Sequence, residues 1–209
     1  VVRKITNYII LSEEMLEDVD GMTSYILARL PSKINKEEDE QILEGDGAGT
    51  NLSGLVTNAT AYSDNLADSN VQRIDILADA VRQVQVGSNN DPTGIVVHPN
   101  DFYKIVMTKE STYGYVHPWI LMQTPLVIAG VTVMSTTAIT EGDFLVLARD
   151  AAQVFFRKQM TIEFSNQNED NFIKGMVTVR AHKREALPIY SPLSMITGDF
   201  AVALAEGTG

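Results

Sequence analysis

The chain has 209 residues, 44% hydrophobic and 21% charged, which excludes collagen-like and disordered classes and leaves a globular polypeptide of one or two domains. Sixteen Lys and Arg stand against 27 Asp and Glu, so the net charge of −11 has the wrong sign for a protein that condenses on nucleic acid through its overall field. Cysteine is absent, which excludes disulfides, thiolate zinc sites and cysteine nucleophiles together.

Residues 1–11 place Val2, Ile5, Ile9 and Leu11 among polar neighbours and read as a strand. Ser12 reads as a helix N-cap, followed by Glu13 and Glu14 where carboxylates suit the positive end of a helix. Met15, Val19, Met22, Ile26 and Leu30 then form the buried stripe of a long amphipathic helix. Pro31 removes one N–H and is expected to kink or interrupt that helix near Leu30. Ile34, Ile42 and Leu43 carry it onward, with residues 36–41 as its wet face. Gly45, Gly47 and Gly49 end it, each available for a left-handed conformation.

Residues 57–69 read as a loop. A second amphipathic helix is expected over 71–86, with Ile74, Leu77, Ala78, Val81 and Val84 on one side, closing on the turn-rich segment 87–92. Residues 93–97 form a short strand, and Pro99 starts a helix with Phe102, Ile105 and Val106 facing inward. Residues 124–133 and 144–148 are further strands of an α/β sheet, separated by the turn Glu141-Gly142-Asp143. Residues 154–164 and 172–186, rich in Val, Ile, Phe and Thr, read as a long antiparallel hairpin joined by the polar link 165–171. Its expected partner is the opening strand and helix, so that one domain is built from both ends of the chain around an inserted α/β domain.

Chemistry-bearing motifs are sparse. The glycine cluster closes a helix instead of opening one and carries Glu44 and Asp46, so neither a dinucleotide fingerprint nor a phosphate loop is read there. His98, His117 and His182 form no helical metal-binding spacing and read as turn or strand residues; no Gly-x-Ser-x-Gly elbow occurs. The basic groups Arg157-Lys158 and His182-Lys183-Arg184, and the acidic run Glu37 to Glu40, read as solvated faces. The longest apolar stretch, 125–133, falls short of the ~18 residues of a membrane span, and residues 1–7 do not read as a signal peptide.

Four stretches, in order over nearly the whole chain, carry a resemblance. They are Leu11-Ser12-Glu13-Glu14-Met15-Leu16-Glu17-Asp18 with its exit Ile42-Leu43-Glu44-Gly45-Asp46-Gly47; Val96-Val97-His98-Pro99-Asn100-Asp101-Phe102; Thr124-Pro125-Leu126-Val127 with Gly142-Asp143-Phe144-Leu145-Val146; and Phe172-Ile173-Lys174-Gly175-Met176-Val177-Thr178-Val179-Arg180-Ala181 running to Arg184-Glu185-Ala186-Leu187. The pattern resembles the major capsid (head) proteins of tailed bacteriophages, whose Hong Kong 97-type fold is shared by encapsulin shells.

The resemblance implies an α+β fold with a long spine helix, a long antiparallel β-hairpin and an inserted mixed α/β axial domain. Residues 1–48 and 152–188 would be peripheral; residues 49–151 would be axial, with a return strand and tail over 189–209. It implies a structural protein without enzymatic activity, catalytic residues, cofactor or metal, assembling with itself into pentamers and hexamers of an icosahedral shell around double-stranded DNA. That DNA would be enclosed without sequence-specific binding and without any membrane. Portal, scaffold or protease would be partners during assembly in the host cytoplasm, before residence in the virion.

Asn166, Gln167, Asn168, Glu169 and Asp170 at the hairpin turn are candidate intersubunit contacts. Some members cross-link lysine to asparagine with the help of a glutamate. Here Gly175 stands at the asparagine position, His182 at the glutamate position, and the loop lysine has no counterpart, so cross-linking by that route is not expected. The family's N-terminal arm and extended loop also have no counterpart, which implies that this polypeptide alone is short of elements that reach across neighbours. Two alternatives remain at this point: an encapsulin-like nanocompartment shell, and a small-molecule enzyme on the α/β scaffold.

Overall fold

In strand β1 (Arg3–Ser12), side chains alternate between an exposed face carrying Lys4, Thr6, Tyr8 and Ile10 and a covered face carrying Ile5, Asn7, Ile9 and Leu11. The computed structural model describes residues 1–18, 21–63, 71–108, 125–168 and 170–206. The chain divides into two compact units, Val1–Gly54 with Val154–Pro188 and Leu55–Gln153 with Ile189–Gly209.

In the first unit, β1 pairs antiparallel with β8 (Met176–Ala186), which pairs antiparallel with β7 (Phe155–Ser165). Helix α1 (Glu13–Asp18) starts as the sequence indicates: Ser12 Oγ accepts the Met15 N–H at 3.2 Å. The expected continuous helix is broken, because Gly21 adopts φ 85° and a new helix, α2 (Met22–Glu44), begins there. The break falls at Gly21 and not at Pro31, which lies inside α2 without ending it. Leu27, whose carbonyl loses its donor to that proline, is on an exposed part of the helix where water can replace it. Met15 is exposed and Val19 lies outside the described residues. The buried stripe is Ile26, Leu30, Ile34 and Leu43, of which Ile26, Leu30 and Ile34 pack with Ile5, Val179 and Ala181 of the sheet. Each contributes roughly 1.5–3 kcal/mol by leaving water.

The helix exit differs from expectation in mechanism. Gly47 and Gly49 have φ 71° and 54°, but Gly45 has φ −53°. Glycine is needed at position 45 because a Cβ would collide with the backbone oxygens of Leu52 and Gln41. Gly47 N–H donates to Leu52 O at 2.8 Å and Gly54 N–H to Gly45 O at 2.7 Å, closing a tight antiparallel turn. Asp46 Oδ1 accepts from Ala48 N and Asn51 Nδ2, both at 2.9 Å, and the Asn51 bond above all holds its carboxyl below the usual range. Gly45→Ala is expected to destabilise this unit by roughly 1–3 kcal/mol through overpacking against rigid backbone, read as a lowered urea midpoint at unchanged slope.

The second unit is a mixed sheet in the order β2-β9-β6-β3-β5-β4: β2 (Thr60–Ala61), β3 (Pro92–Val97), β4 (Val127–Ile128), β5 (Val131–Ser135), β6 (Asp143–Ala148) and β9 (Met195–Asp199). β3/β5 and β2/β9 are parallel, the other pairs antiparallel. Helix α4 (Arg73–Ser88) packs Ile76, Leu77, Ala80, Val81 and Val84 into one core with Ile95, Val97, Val133, Phe144 and Val146. Helix α5 (Pro99–Val106) adds Ile105 and Val106, with Phe102 half-buried against it; His98 caps it, its Nδ1 accepting Asn100 N–H at 3.2 Å.

Three expectations are corrected here. The supposed loop over 57–69 contains the end of helix α3 (Leu55–Asn58) and strand β2, with 64–70 outside the described residues. The single strand over 124–133 is two strands around Ala129 and Gly130, whose φ of 49° and 82° make a tight hairpin turn; Thr124 is not among the described residues. A closing helix, α6 (Phe200–Glu206), was not foreseen; its buried Phe200 packs on Phe144 at a ring distance of 4.9 Å.

Candidate functional site

The sequence places its candidate contacts at the turn between β7 and β8. That turn is longer than expected, because β8 begins at Met176 and not at Phe172. Gln167 N–H donates to Ser165 Oγ at 3.2 Å, Asn171 N–H to Asn168 O at 3.0 Å, and Lys174 N–H to Asp170 O at 3.1 Å. Asn171 is buried and donates to Thr178 Oγ1 at 2.7 Å, locking the turn to the strand. Phe172 and Ile173 are thrown outward, 75% and 84% exposed. Gln167, Asn168 and Asp170 are exposed, Asn166 is half-buried, and Glu169 lies outside the described residues.

Gln167 and Asn168 also line an open groove of about 560 Å³ with Tyr8, Ile10, Glu163, Ser165, Thr178 and Arg180. This groove lies on the sheet face whose rows are set by register: Ile10, Thr178, Ser165; Tyr8, Arg180, Glu163; Thr6, His182, Thr161; Lys4, Arg184, Lys158. Arg180 donates to Glu163 Oε2 at 2.6 Å, which holds the Glu163 carboxyl below its ordinary value.

Gly175 and His182 are not brought together. Gly175 sits at the turn with φ 58°, its carbonyl accepting Glu13 N–H at 2.8 Å, while His182 is six strand residues beyond Met176, ~20 Å along β8. His182 is buried, with Lys158 Nζ 3.1 Å from its Nε2. Burial first, then the Lys158 charge, push its imidazole below the usual histidine range and keep it neutral.

Sequence reasoning missed the most unusual side chains of the unit. Lys183, expected on a solvated face, and Glu185 are 5% and 0% exposed on the helix-facing side of β8, in line with Val179 and Ala181. Lys183 Nζ is ion-paired to Glu38 of α2, which therefore is not part of a wet face, and lies 3.9 Å from Glu185 Oε2. Both Glu185 carboxylate oxygens are buried without a hydrogen-bond partner. Strand parity was the available signal: Val179, Ala181, Lys183 and Glu185 share one face of any strand drawn through them.

No group of three or more His, Asp and Glu side chains arranged to hold a metal occurs among the described residues, and His117 is outside them. No helix among the described residues is long and apolar enough to cross a membrane.

Comparison with known proteins matches these features to one architecture. A chain of Gordonia phage Cozz superposes with a TM-score of 0.76 at 15% identity, covering 95% of this chain and 70% of that one. The capsid of a native GTA particle gives 0.74 at 13% identity, with 95% and 72% covered. A virus-like particle from Pyrococcus furiosus gives 0.60 at 13% identity, with 95% and 77% covered. These likenesses establish the Hong Kong 97-type fold.

In sequence, the chain is 35% identical over 201 residues to the major capsid protein of Enterobacteria phage HK97, covering 96% of this chain and 52% of that protein. It thus spans about half the length of the curated relative it matches. The phage capsid family profile matches residues 1–200, through both compact units and all of the secondary structure before the last helix is complete, and the chain belongs to that family.

Proposed function

We propose that this chain is the shell-forming part of a phage major capsid protein, assembling with copies of itself through pentamers and hexamers into an icosahedral shell that encloses double-stranded DNA. The observation that carries the reading is the 35% identity to a phage major capsid protein over 201 residues, which span both units. The nanocompartment alternative rests on fold likeness alone and is not favoured.

In this reading the unit containing α2 and the β7/β8 hairpin is the peripheral domain, and the unit with the six-stranded sheet is the axial domain that surrounds the capsomer axis. The acidic net charge suits a shell that confines DNA without wrapping it. Association then rests on symmetric protein contacts. Asn166, Gln167, Asn168, Glu169 and Asp170 contact neighbouring capsomers. With Gly175 and His182 at the reactive positions, the shell is held without covalent cross-links. Portal, scaffold and protease act during assembly in the host cytoplasm, and the finished protein resides in the virion.

Absolute mass by light scattering after size exclusion, with electron microscopy of the same fractions, tests the assembly. Masses of five or six subunits are expected. Persistent monomer, with no shells in micrographs at any protein concentration tested, would overturn the reading. Asn168→Lys with Asp170→Lys is expected to leave capsomer mass unchanged and to prevent closed shells, seen as free capsomers in micrographs.

A further inference from the structure

In the register of the first unit's sheet, Lys4 of β1 lies opposite Arg184 of β8, and Arg184 lies opposite Lys158 of β7. Three cations therefore stand in one row straight across three strands, each ~4.8 Å from the next strand, on the face away from α2. Like charges directly opposite one another on a sheet are mutually destabilising. Among the described residues none of the three is in an ion pair. Glu163, on the same face, is taken by Arg180, and Glu37, which shares a cleft with Lys4, is beyond ion-pair distance.

The next row adds to this. Lys158 can only donate, so the neutral His182 accepts at Nε2 and carries its proton on Nδ1, which is buried without a partner. Among the described residues no carboxylate is ion-paired to any of the three cations in this corner of the sheet. It lies in a chain whose net charge is −11.

We propose that this cation row is a docking surface for the carboxylates of helix α1 of a second copy of the chain. α1 holds Glu13, Glu14, Glu17 and Asp18 within six residues, buries none of them, and engages none in an ion pair among the described residues. The same copy's α1 cannot serve, because Ser12 is eight strand residues from Lys4, ~27 Å away along β1. α1 sits at the hairpin-turn end of the sheet, joined there by the Glu13 N–H to Gly175 O bond. The turn end of one copy thus meets the cation-row end of the next, a head-to-tail contact of the kind that closes into rings or continues into larger assemblies. A polynucleotide is the less suitable occupant, since three cations on a strongly acidic body offer it little counterion release. The inference rests on the self-association proposed above and names the partner surface.

The test has two arms. In the first, a fluorescent peptide of residues 11–20 is titrated into the chain. Binding is expected to weaken about tenfold or more between 50 and 500 mM salt, and by a similar factor in the variant Lys4→Glu/Lys158→Glu/Arg184→Glu. In the second, that variant and Glu14→Lys/Glu17→Lys are each expected to fail to associate alone and to associate when mixed. Circular dichroism checks the fold; if the triple variant does not fold, Lys4→Gln/Lys158→Gln takes its place in the peptide titration, with the same expected weakening.

Shells formed normally by the charge-reversed variant, with no peptide binding to the parent, would overturn this inference and leave the capsid reading standing. Peptide binding without any shell would do the opposite. A thymidine oligonucleotide that binds at the row more tightly than the peptide would overturn it in favour of nucleic acid.

Discussion

Lys183→Met is expected to destabilise the first unit by about 3–5 kcal/mol, measured as a fall in urea midpoint and loss of amide protection confined to β1, β7, β8 and α2. The lysine is 5% exposed beside Glu38 and Glu185, and its removal leaves the Glu38 carboxylate without its cation on the covered side of the sheet. Glu185 is expected to behave in the opposite way. Burial pushes its carboxyl above the ordinary value of 4.5, so the folded chain holds this proton more tightly than the unfolded one. Folding takes up that proton, and stability is lost as pH rises from the unfolded value through the folded one. Glu185→Gln removes this dependence. The variant's advantage over the parent should therefore be smallest near pH 4.5 and grow as the pH rises above it, as read in urea titrations at several pH values. The double variant Glu38→Met/Lys183→Met should recover much of the single variant's loss, because that buried ion pair exchanged whole for apolar side chains is close to neutral.

Phe144→Ala is expected to cost the second unit a comparable ~3–5 kcal/mol. Phe144 is fully buried on the central strand β6 and meets Phe200 at 4.9 Å and Tyr62 at 5.7 Å, edge-on. Gly198 backs onto the same ring; its missing Cβ would lie 2.8 Å from Phe144, so the backbone of β9 cannot move in to fill the cavity without moving the strand. Loss of protection should appear in β2, β6, β9 and α6, while the first unit's protection is retained. A midpoint within 1 kcal/mol of the parent would mean that the core collapses around the deletion, contrary to this packing.

Much of this architecture was legible in local pattern. The strand reading of residues 1–11, the β-rich composition of 172–186, the N-cap at Ser12, the apolar period over 71–86 and proline at the first position of α5 each rest on neighbours a few residues away, and each produces an element of the type it predicts. The hairpin turn was located correctly because polar and glycine residues interrupt two β-rich runs. Its real extent was not, since the buried Asn171 and left-handed Gly175 draw Phe172 and Ile173 into the turn despite their strand propensity. Gly21 broke the helix for a similar reason: periodicity measures which face is apolar and is silent about where one residue turns left-handed.

The sequence by itself determined that Lys183 and Glu185 share one face of β8 with Val179 and Ala181, because side chains alternate along a strand. Only the tertiary structure decided what they would meet, because Glu38 is brought to Lys183 from 145 residues away by packing α2 on the sheet. The same holds for the clash that Leu52, folding back, would make with a side chain at Gly45, and for the cation row. Lys4, Lys158 and Arg184 are scattered in sequence and become one surface when β8 enters between β1 and β7. Strand periodicity is a local steric property, whereas the identity and register of a strand's partner come from long-range burial, which no window of neighbouring residues contains.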